Sequence, residues 1–525
     1  MKVGAVFYVF SCHVNKKPYF CATCHKSEPM QHLDTLWTMT IILAAIVSLF
    51  TVRWAYFKIL KIAKDKNVVD NPDARKLQKT PVPVMGGIAV FIGVVAGLLM
   101  GAALCSAFEL ESIVRLLPIV LAMVVMLYTG SMDDIIGLTP GSRFIIEIST
   151  LIGLIVASGC CVDSFHGLWG FDEVAWWVAI LVSVVGGVGI INAVNMIDGV
   201  NGLSSGLCIS CCVLYGIVFC FSGDMANTIL AFSMAAALLP FFFHNVFGVR
   251  SRMFIGDAGT MVMGILLTWF TFSVLCKDAD VAAKLHIPNA NLIAMALAIL
   301  SVPVFDTVRV MVMRMAKRQS PFHPDKTHLH HVFVNVGIIH SIITFVEISI
   351  NLVVVCIWVL SVALGASMEW QLYIVIIASL ILVCGTYFFL RNHADRHTGF
   401  MHWLAHFSLS THLGDKNWWL KLQMLLDKGE IVDNQKPENK PNNGYHIVFD
   451  SAPDNYKERD RKKMLEFMKG KAEVLVDDIK QQSGAETLRV DAMLSEGEVE
   501  GYIKVVTRTF NGAPVIVTLA DNITF

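Results

Sequence analysis

The chain has 525 residues, of which 55% are apolar and 16% charged, and its formal net charge is −1. A water-soluble globular protein of this length rarely carries so little charge. Near-neutrality says nothing about nucleic acid, and no basic surface interleaved with aromatics suggests it as a partner. The composition is that of a polytopic membrane protein.

The first 38 residues read as an N-terminal extension. They hold Cys21, Cys24 and His25 at the spacing of a c-type haem attachment site. No cleavable signal peptide precedes them and nothing nearby reads as a haem-enclosing domain. Haem is therefore not expected, and Met39 competes as the initiator. From there, apolar stretches of roughly 20 residues, enough to cross a bilayer as helix, lie near 39–57, 84–107, 115–131, 143–161, 174–192, 203–222, 226–246, 258–276, 290–312, 340–362 and 371–390. The predicted fold is an all-α integral membrane protein of about eleven transmembrane helices over 39–391. Most of the 13 cysteines lie inside these spans, where they act as small hydrophobes rather than a disulfide framework.

Short cytoplasmic loops retain positive charge. Lys58, Lys61, Lys64, Lys66, Arg75, Lys76 and Lys79 follow the first span, Arg250 and Arg252 the seventh, and Arg314, Lys317, Arg318 and Lys326 the ninth. All three loops are expected on the cytoplasmic side. The odd span number then places the N-terminus outside and the C-terminus inside. After the last span, 392–434 carries Trp403, Trp418 and Trp419 among His and Lys, the pattern of an interfacial amphipathic segment. A Pro- and Asn-rich linker at 435–444 leads into a small cytosolic α+β domain, with a charged helix over 456–482 and strands around 489–493, 502–510 and 514–519.

The chemistry is expected in the polar runs at the cytoplasmic ends of the spans. Asp133 and Asp134 follow the third span; at about 2.5 to 3.5 kcal/mol per charge at a bilayer centre they belong at the interface or in a hydrated cleft. The run NAVNMIDGVNGL spaces Asn192, Asn195, Asp198 and Asn201 three apart, a polar strip if the helix continues. Asp257 sits among Gly256, Ala258 and Gly259, small neighbours that let an ion approach, and is the preferred metal ligand. The run HPDKTHLHH supplies Lys326, His328, His330 and His331; with Arg318 these could hold a diphosphate. Its histidines lack a convincing tetrahedral set for zinc. Lys76 and Lys79 could meet an anionic lipid headgroup, ahead of Pro81, Pro83, Gly86 and Gly87.

Asp70, Pro72, Arg75, Lys76, Pro81, Pro83, Gly86 and Gly87, then the aspartate pair, NAVNMIDGVNGL, FIGDAG and PFHPDKTHLHH, resemble in order the motifs of the polyprenyl-phosphate N-acetylhexosamine-1-phosphate transferase superfamily (glycosyltransferase family 4) over about residues 39–335. The HLHH form is similar to the branch that primes surface polysaccharides such as O-antigen and enterobacterial common antigen. The resemblance implies transfer of N-acetylhexosamine 1-phosphate, in the first instance GlcNAc-1-phosphate, from the UDP-sugar to undecaprenyl phosphate in the bacterial inner membrane, with UMP released and Mg²⁺ or Mn²⁺ required. It further implies that Asp257 binds the metal, and that Asp133 and Asp134 assist the lipid phosphate or the metal. Asn195 and Asp198 would contact the metal-bound nucleotide, with Asn201 beside them. Arg318, Lys326, His328, His330 and His331 would hold diphosphate and sugar. Direct attack and a two-step route through an aspartyl intermediate both fit. Gln78, Asn201 and Arg143 depart from the residues common at their positions. A homodimer is a further expectation. The competing readings are a secondary transporter for an anionic solute, which would need inverted repeats and broken helices at the midplane, and an inactive membrane scaffold.

Overall fold

The structure, a computed structural model, describes residues 28–70, 81–105, 114–279, 281–287, 289–320, 327–395, 417–427, 463–469, 471, 473–482, 490, 493–494, 503–508 and 514–519. Helix α1 (Glu28–Asp65) leads into two short antiparallel strands, β1 (Val69–Asp70) and β2 (Val82–Pro83), with Val69 opposite Pro83. Seven long helices follow: α2 (Gly86–Cys105), α3 (Leu117–Ile136), α4 (Pro140–Ser158), α5 (Trp176–Met196), α6 (Leu203–Ser222), α7 (Met225–Phe247) and α8 (Gly256–Leu275). A bent pair, α9 (Leu292–Ile299) and α10 (Ser301–Ala316), then a short α11 (Leu329–Asn335), precede α12 (His340–Ala363). The last long helix runs as α13 (Met368–Ser379), a π-turn at Leu380–Gly385 and α14 (Thr386–Asp395). Among the described residues ten helices are long and apolar enough to cross a membrane, eleven if the bent pair counts as one span. The chain is a multi-pass membrane protein.

Helix α8 is the axis of the bundle. Its membrane-length window is buried entirely within the protein, as expected of a helix that is apolar all round. Small residues allow its neighbours to close on it: a Cβ on Gly87 would lie 2.2 Å from the Gly259 nitrogen, and one on Gly130 would lie 2.4 Å from the backbone of Ala258. The outer helices instead expose Trp54, Ile145 and Val156, side chains suited to lipid.

The apolar run 290–312, expected as one straight span, is broken by 81° at Leu300. Pro303 supplies the reason. It has no N–H to return to the Ile299 carbonyl, and its ring crowds that turn. Asn351 of α12 repairs the break: its Nδ2 donates to Ile299 O at 3.0 Å, while its Oδ1 accepts from Ser301 Oγ at 2.9 Å and Val302 N at 3.2 Å. Beyond the bend, α10 carries Asp306, which accepts from His328 Nδ1 and Leu329 N at the start of α11.

Within the expected interfacial segment, α15 (Asn417–Asp427) is a helix docked on the end of α7. Trp419 stands edge-on to Phe247, and Leu426 is buried with Phe242 and Val246. Its terminal residue, Asp427, accepts from Ser251 Oγ at 2.7 Å and from the Ser251 and Val249 amides at 3.1 and 3.3 Å. Replacing Asp427 by Ala strands those donors and is expected to cost about 1–3 kcal/mol; earlier protease cleavage beyond residue 395, at unchanged detergent monodispersity, is the measurement.

Residues 442–525 form a separate compact unit. Strands β3 (Val474–Leu475), β4 (Ile503–Arg508) and β5 (Pro514–Leu519) make an antiparallel sheet in the order β3-β5-β4, with helix α16 (Val476–Gln482) following β3. The core includes Met464, Met468, Ile479 and Val517. Where a strand was expected around 489–493, the described Val490 and Met493 are helical. Val490, Met493 and Leu494 are buried together at the i, i+3, i+4 spacing of a helix face. The linker at 435–444, and the extension with Cys21, Cys24 and His25, lie outside the described residues.

Candidate active site

Five segments far apart in sequence meet around a cavity of about 610 Å³, lined among others by Asp70, Asp133, Asp134, Asn195, Asp198, Asn201, Asn245, Asp257, His330 and His331. The Pro-x-Pro-x-x-Gly-Gly run explains part of this convergence. The Pro83 carbonyl accepts from Phe254 N at 2.8 Å, and the Phe254 and Ile255 carbonyls accept from Gly86 N and Gly87 N at 3.0 and 2.8 Å. The prolines preset an extended entry and Gly87 permits the contact with Gly259. The loop after α1 is thereby stitched to the start of α8.

The aspartate pair lies in the last turn of α3, and its members have different partners. Asp134 accepts from the backbone amides of Asp257 at 2.9 Å and Ala258 at 3.2 Å, so it caps the N-terminus of α8 from outside the helix. Gly256, at φ +72°, makes the turn, and a Cβ there would lie 2.5 Å from the Asp134 carboxylate. Asp133 accepts from Leu138 N at 2.7 Å and faces Arg143, whose Nη1 is 3.0 Å from Asp133 and 3.7 Å from Asp257. Arg143 is held in turn by the buried Glu147 at 3.3 Å, and Glu147 accepts from Asn192 Nδ2 at 2.6 Å.

Helix α5 ends at Met196, so the polar strip divides. Asn192 and Asn195 share the helical face, while Asp198 and Asn201 sit in the turn beyond. Asn195 Nδ2 donates to Asp257 Oδ1 at 2.5 Å and to Thr260 at 2.7 Å, fixing the carboxylate of Asp257 at the mouth of α8. Asp198 opens onto the cavity and accepts from Ser204 Oγ at 2.5 Å. Although Asp198 is exposed to the cavity, the protein packed around it, with the charge of Asp257 adding, pushes its carboxyl up to about 6. Gly202 N donates at 2.6 Å to Asn245 Oδ1, whose amide nitrogen reaches the Met253 carbonyl.

Of the histidine loop, His330 and His331 reach the cavity. His330 packs so closely on Gly199 that a Cβ there would be 2.5 Å from its Nε2. Burial, and the neighbouring His331 and His328, push His330 well below the usual histidine range, so it is neutral at pH 7. His328 is placed elsewhere. It is buried with its Nδ1 2.8 Å from Asp306, away from the cavity lining. Arg318, exposed and at φ +58°, does not line the cavity either. Lys76, Lys79 and Lys326 lie outside the described residues. The sequence reading missed Asn245, Glu147 and Asp306. Asn245 carried a signal, a polar pair with His244 closing the apolar run of α7.

The cavity can hold a hard cation. Among the described residues five aspartates line it and no Lys or Arg does, and Arg143, outside the lining, reaches Asp133 and Asp257, so a cation would relieve the repulsion between these carboxylates and a diphosphate. Among the described residues no three His, Cys, Asp or Glu side chains form a complete cage. A hard cation held there would have to draw the rest of its shell from water and substrate oxygens.

The family model described as glycosyl transferase family 4 matches residues 116–275. The probable undecaprenyl-phosphate N-acetylglucosaminyl 1-phosphate transferase of Bacillus subtilis is 31% identical over 301 residues, 57% of this chain and 79% of that protein. The undecaprenyl-phosphate alpha-N-acetylglucosaminyl 1-phosphate transferase of Escherichia coli K12 is 30% identical over 297 residues, 55% and 75% of the two chains. The chain belongs to glycosyl transferase family 4. The corresponding protein of Yersinia pestis is 28% identical over 299 residues. In this member of glycosyl transferase family 4 the family match spans α3 to α8, the helices that carry Asp133, Asp134, Asn195 and Asp257.

Proposed function

We propose that the protein transfers GlcNAc-1-phosphate from UDP-GlcNAc to undecaprenyl phosphate at the cytoplasmic face of a bacterial inner membrane, releasing UMP. The observation that carries this reading is the convergence of Asp133, Asn195, Asp198, Asp257, His330 and His331 on one cavity at the end of a membrane bundle, in a chain whose relatives carry that activity in their names. The basic loops after α1, α7 and α10 support the cytoplasmic assignment.

In this reading the lipid phosphate oxygen attacks the phosphorus bearing the sugar. A new P–O bond forms, the bond to the UMP oxygen breaks, and UMP leaves with the electron pair. The attacking phosphate is already ionised near neutrality, so no carboxylate need act as a strong base. Asp257, fixed by Asn195, would hold Mg²⁺ or Mn²⁺, with Asp133 beside it. The bound cation would supply neutralisation of the charge that gathers on the leaving phosphate. Asp134 positions Asp257 by capping α8. Arg143 balances Asp133 and Asp257. His330 and His331 face the diphosphate and sugar, and Lys76, Lys79, Arg318 and Lys326 are assigned to the phosphates from their place in basic segments of the sequence. Asp198 and Asn201 are assigned to the nucleotide.

The test is UMP release by detergent-solubilised protein given undecaprenyl phosphate, Mg²⁺ and a panel of UDP-N-acetylhexosamines. Activity with UDP-GlcNAc above its epimer is expected; no UMP release with any donor, from monodisperse protein, would overturn the reading. The rate is further expected to fall as pH drops through about 6, where Asp198 takes up its proton. The Asp198→Asn variant should be slow and lack that limb of the pH profile.

A further inference from the structure

The histidine loop is held from behind by an ion pair that the reaction chemistry does not use. Asp306 and Arg309 lie on α10, three apart and both buried, with Arg309 Nη2 2.6 Å from Asp306 Oδ1. The carboxylate of Asp306 also accepts from His328 Nδ1 at 2.8 Å and from the Leu329 amide at 3.1 Å. Because an ionised carboxylate only accepts, His328 carries its hydrogen on Nδ1. The same Nη2 of Arg309 also donates to the Thr327 carbonyl at 2.7 Å, and the guanidinium lies 3.5 Å from the centre of the Tyr387 ring. Residues 327, 328 and 329 are therefore each tied to α10. The next two residues are His330 and His331, which enter the cavity.

The arrangement is more than a compensated buried charge. His328 is the cap residue of α11 yet makes no side-chain cap of its own; the cap is supplied by Asp306 from another helix. Asp306 in turn lies on the segment redirected by the 81° bend at Leu300. The bend, the ion pair and the loop form one mechanical path that ends at two cavity side chains. His330 Nδ1 has no partner among the described residues, so packing and this anchorage set where its ring points.

We infer that Asp306 and Arg309 are a clamp presenting His330 and His331 to the sugar-phosphate half of the donor, which makes Asp306 a positioning residue for specificity toward that half. The inference rests on the transferase reading above. It predicts that loosening the clamp weakens binding of the whole sugar nucleotide, while nucleotide monophosphate and lipid acceptor are recognised as before. An effect confined to stability would not separate the ligands in this way.

Calorimetry of the full chain in detergent with UDP-GlcNAc and with UMP, alongside the KM for undecaprenyl phosphate, tests it. Asp306→Asn is expected to weaken UDP-GlcNAc at least about ten-fold, leaving UMP affinity and the acceptor KM within about two-fold. If Asp306→Asn is not monodisperse, Arg309→Lys is used for the same comparison, because an ammonium loses the planar stack on Tyr387 that holds the Nη2 donor between Asp306 and Thr327. The double variant Asp306→Asn/Arg309→Gln removes both charges and is expected to stay weak for UDP-GlcNAc. The clamp is overturned if folded variants bind UDP-GlcNAc like wild type, if UMP weakens equally, or if the double variant recovers. Wild-type protein that binds neither nucleotide would instead remove the transferase reading, and the clamp with it.

Discussion

Asp257→Asn is expected to lower transfer about 10²–10³-fold with the bundle intact. Asp257 stands at the first turn of a helix whose membrane-length window is entirely buried, one carboxylate oxygen 2.5 Å from Asn195 and the other toward Arg143 at 3.7 Å. The amide is nearly isosteric, so packing of α8 survives, whereas the anionic oxygen facing the cavity is lost. Raising Mg²⁺ should recover part of the rate if binding is the step impaired. Asp134→Asn makes the informative contrast. Its oxygens are engaged by the Asp257 and Ala258 amides, so it should cost stability, about 1 kcal/mol as for a weakened helix cap, together with a smaller loss of rate. Initial rates across a Mg²⁺ series, with thermal unfolding in the same detergent, separate the two.

Gly130→Ala is expected to destabilise the protein by about 1–3 kcal/mol and to lower the rate roughly 10²-fold, although residue 130 bears no reactive group. The added methyl would sit 2.4 Å from the Ala258 nitrogen and Cα and 2.5 Å from the Asp257 carbonyl carbon. Those neighbours are backbone at the head of α8, which cannot rotate aside as a side chain would. The helix start must shift, carrying Asp257 away from Asn195 and from the Asp134 cap. Thermal unfolding and the rate at saturating substrates check it. A variant with wild-type rate and stability would mean that α3 and α8 are not packed as described.

The polar end of the molecule was legible because membranes make polar residues costly. Asp133, Asp134, Asn195, Asp198, Asp257, His330 and His331 stood out at the ends of apolar runs, and all of them line one cavity. The divisions within those motifs were not legible. Nothing in the sequence separates Asp134, turned to backbone amides, from Asp133, turned to Arg143, because that difference arises where α3 crosses α8. His328 read as one of a ligand trio, yet it pairs with Asp306, 22 positions earlier in the chain. Asp306 itself was hidden inside an apparent straight span. The bend that exposes its role depends on Pro303 and on repair by the distant Asn351. In the C-terminal unit, alternation around Val490 resembled a strand because two residues out of phase decide between the two periods.

The central claim is that this cavity makes lipid-linked sugar phosphate. Purified protein incubated with UDP-GlcNAc, undecaprenyl phosphate and Mg²⁺, with the lipid fraction analysed by mass spectrometry, tests it most directly. The expected product is undecaprenyl diphosphate-GlcNAc, formed with one UMP per lipid, lost on adding EDTA and nearly absent with Asp257→Asn. Undiminished product from Asp257→Asn, or no lipid-linked sugar from monodisperse wild-type protein with any UDP-N-acetylhexosamine, would contradict the account.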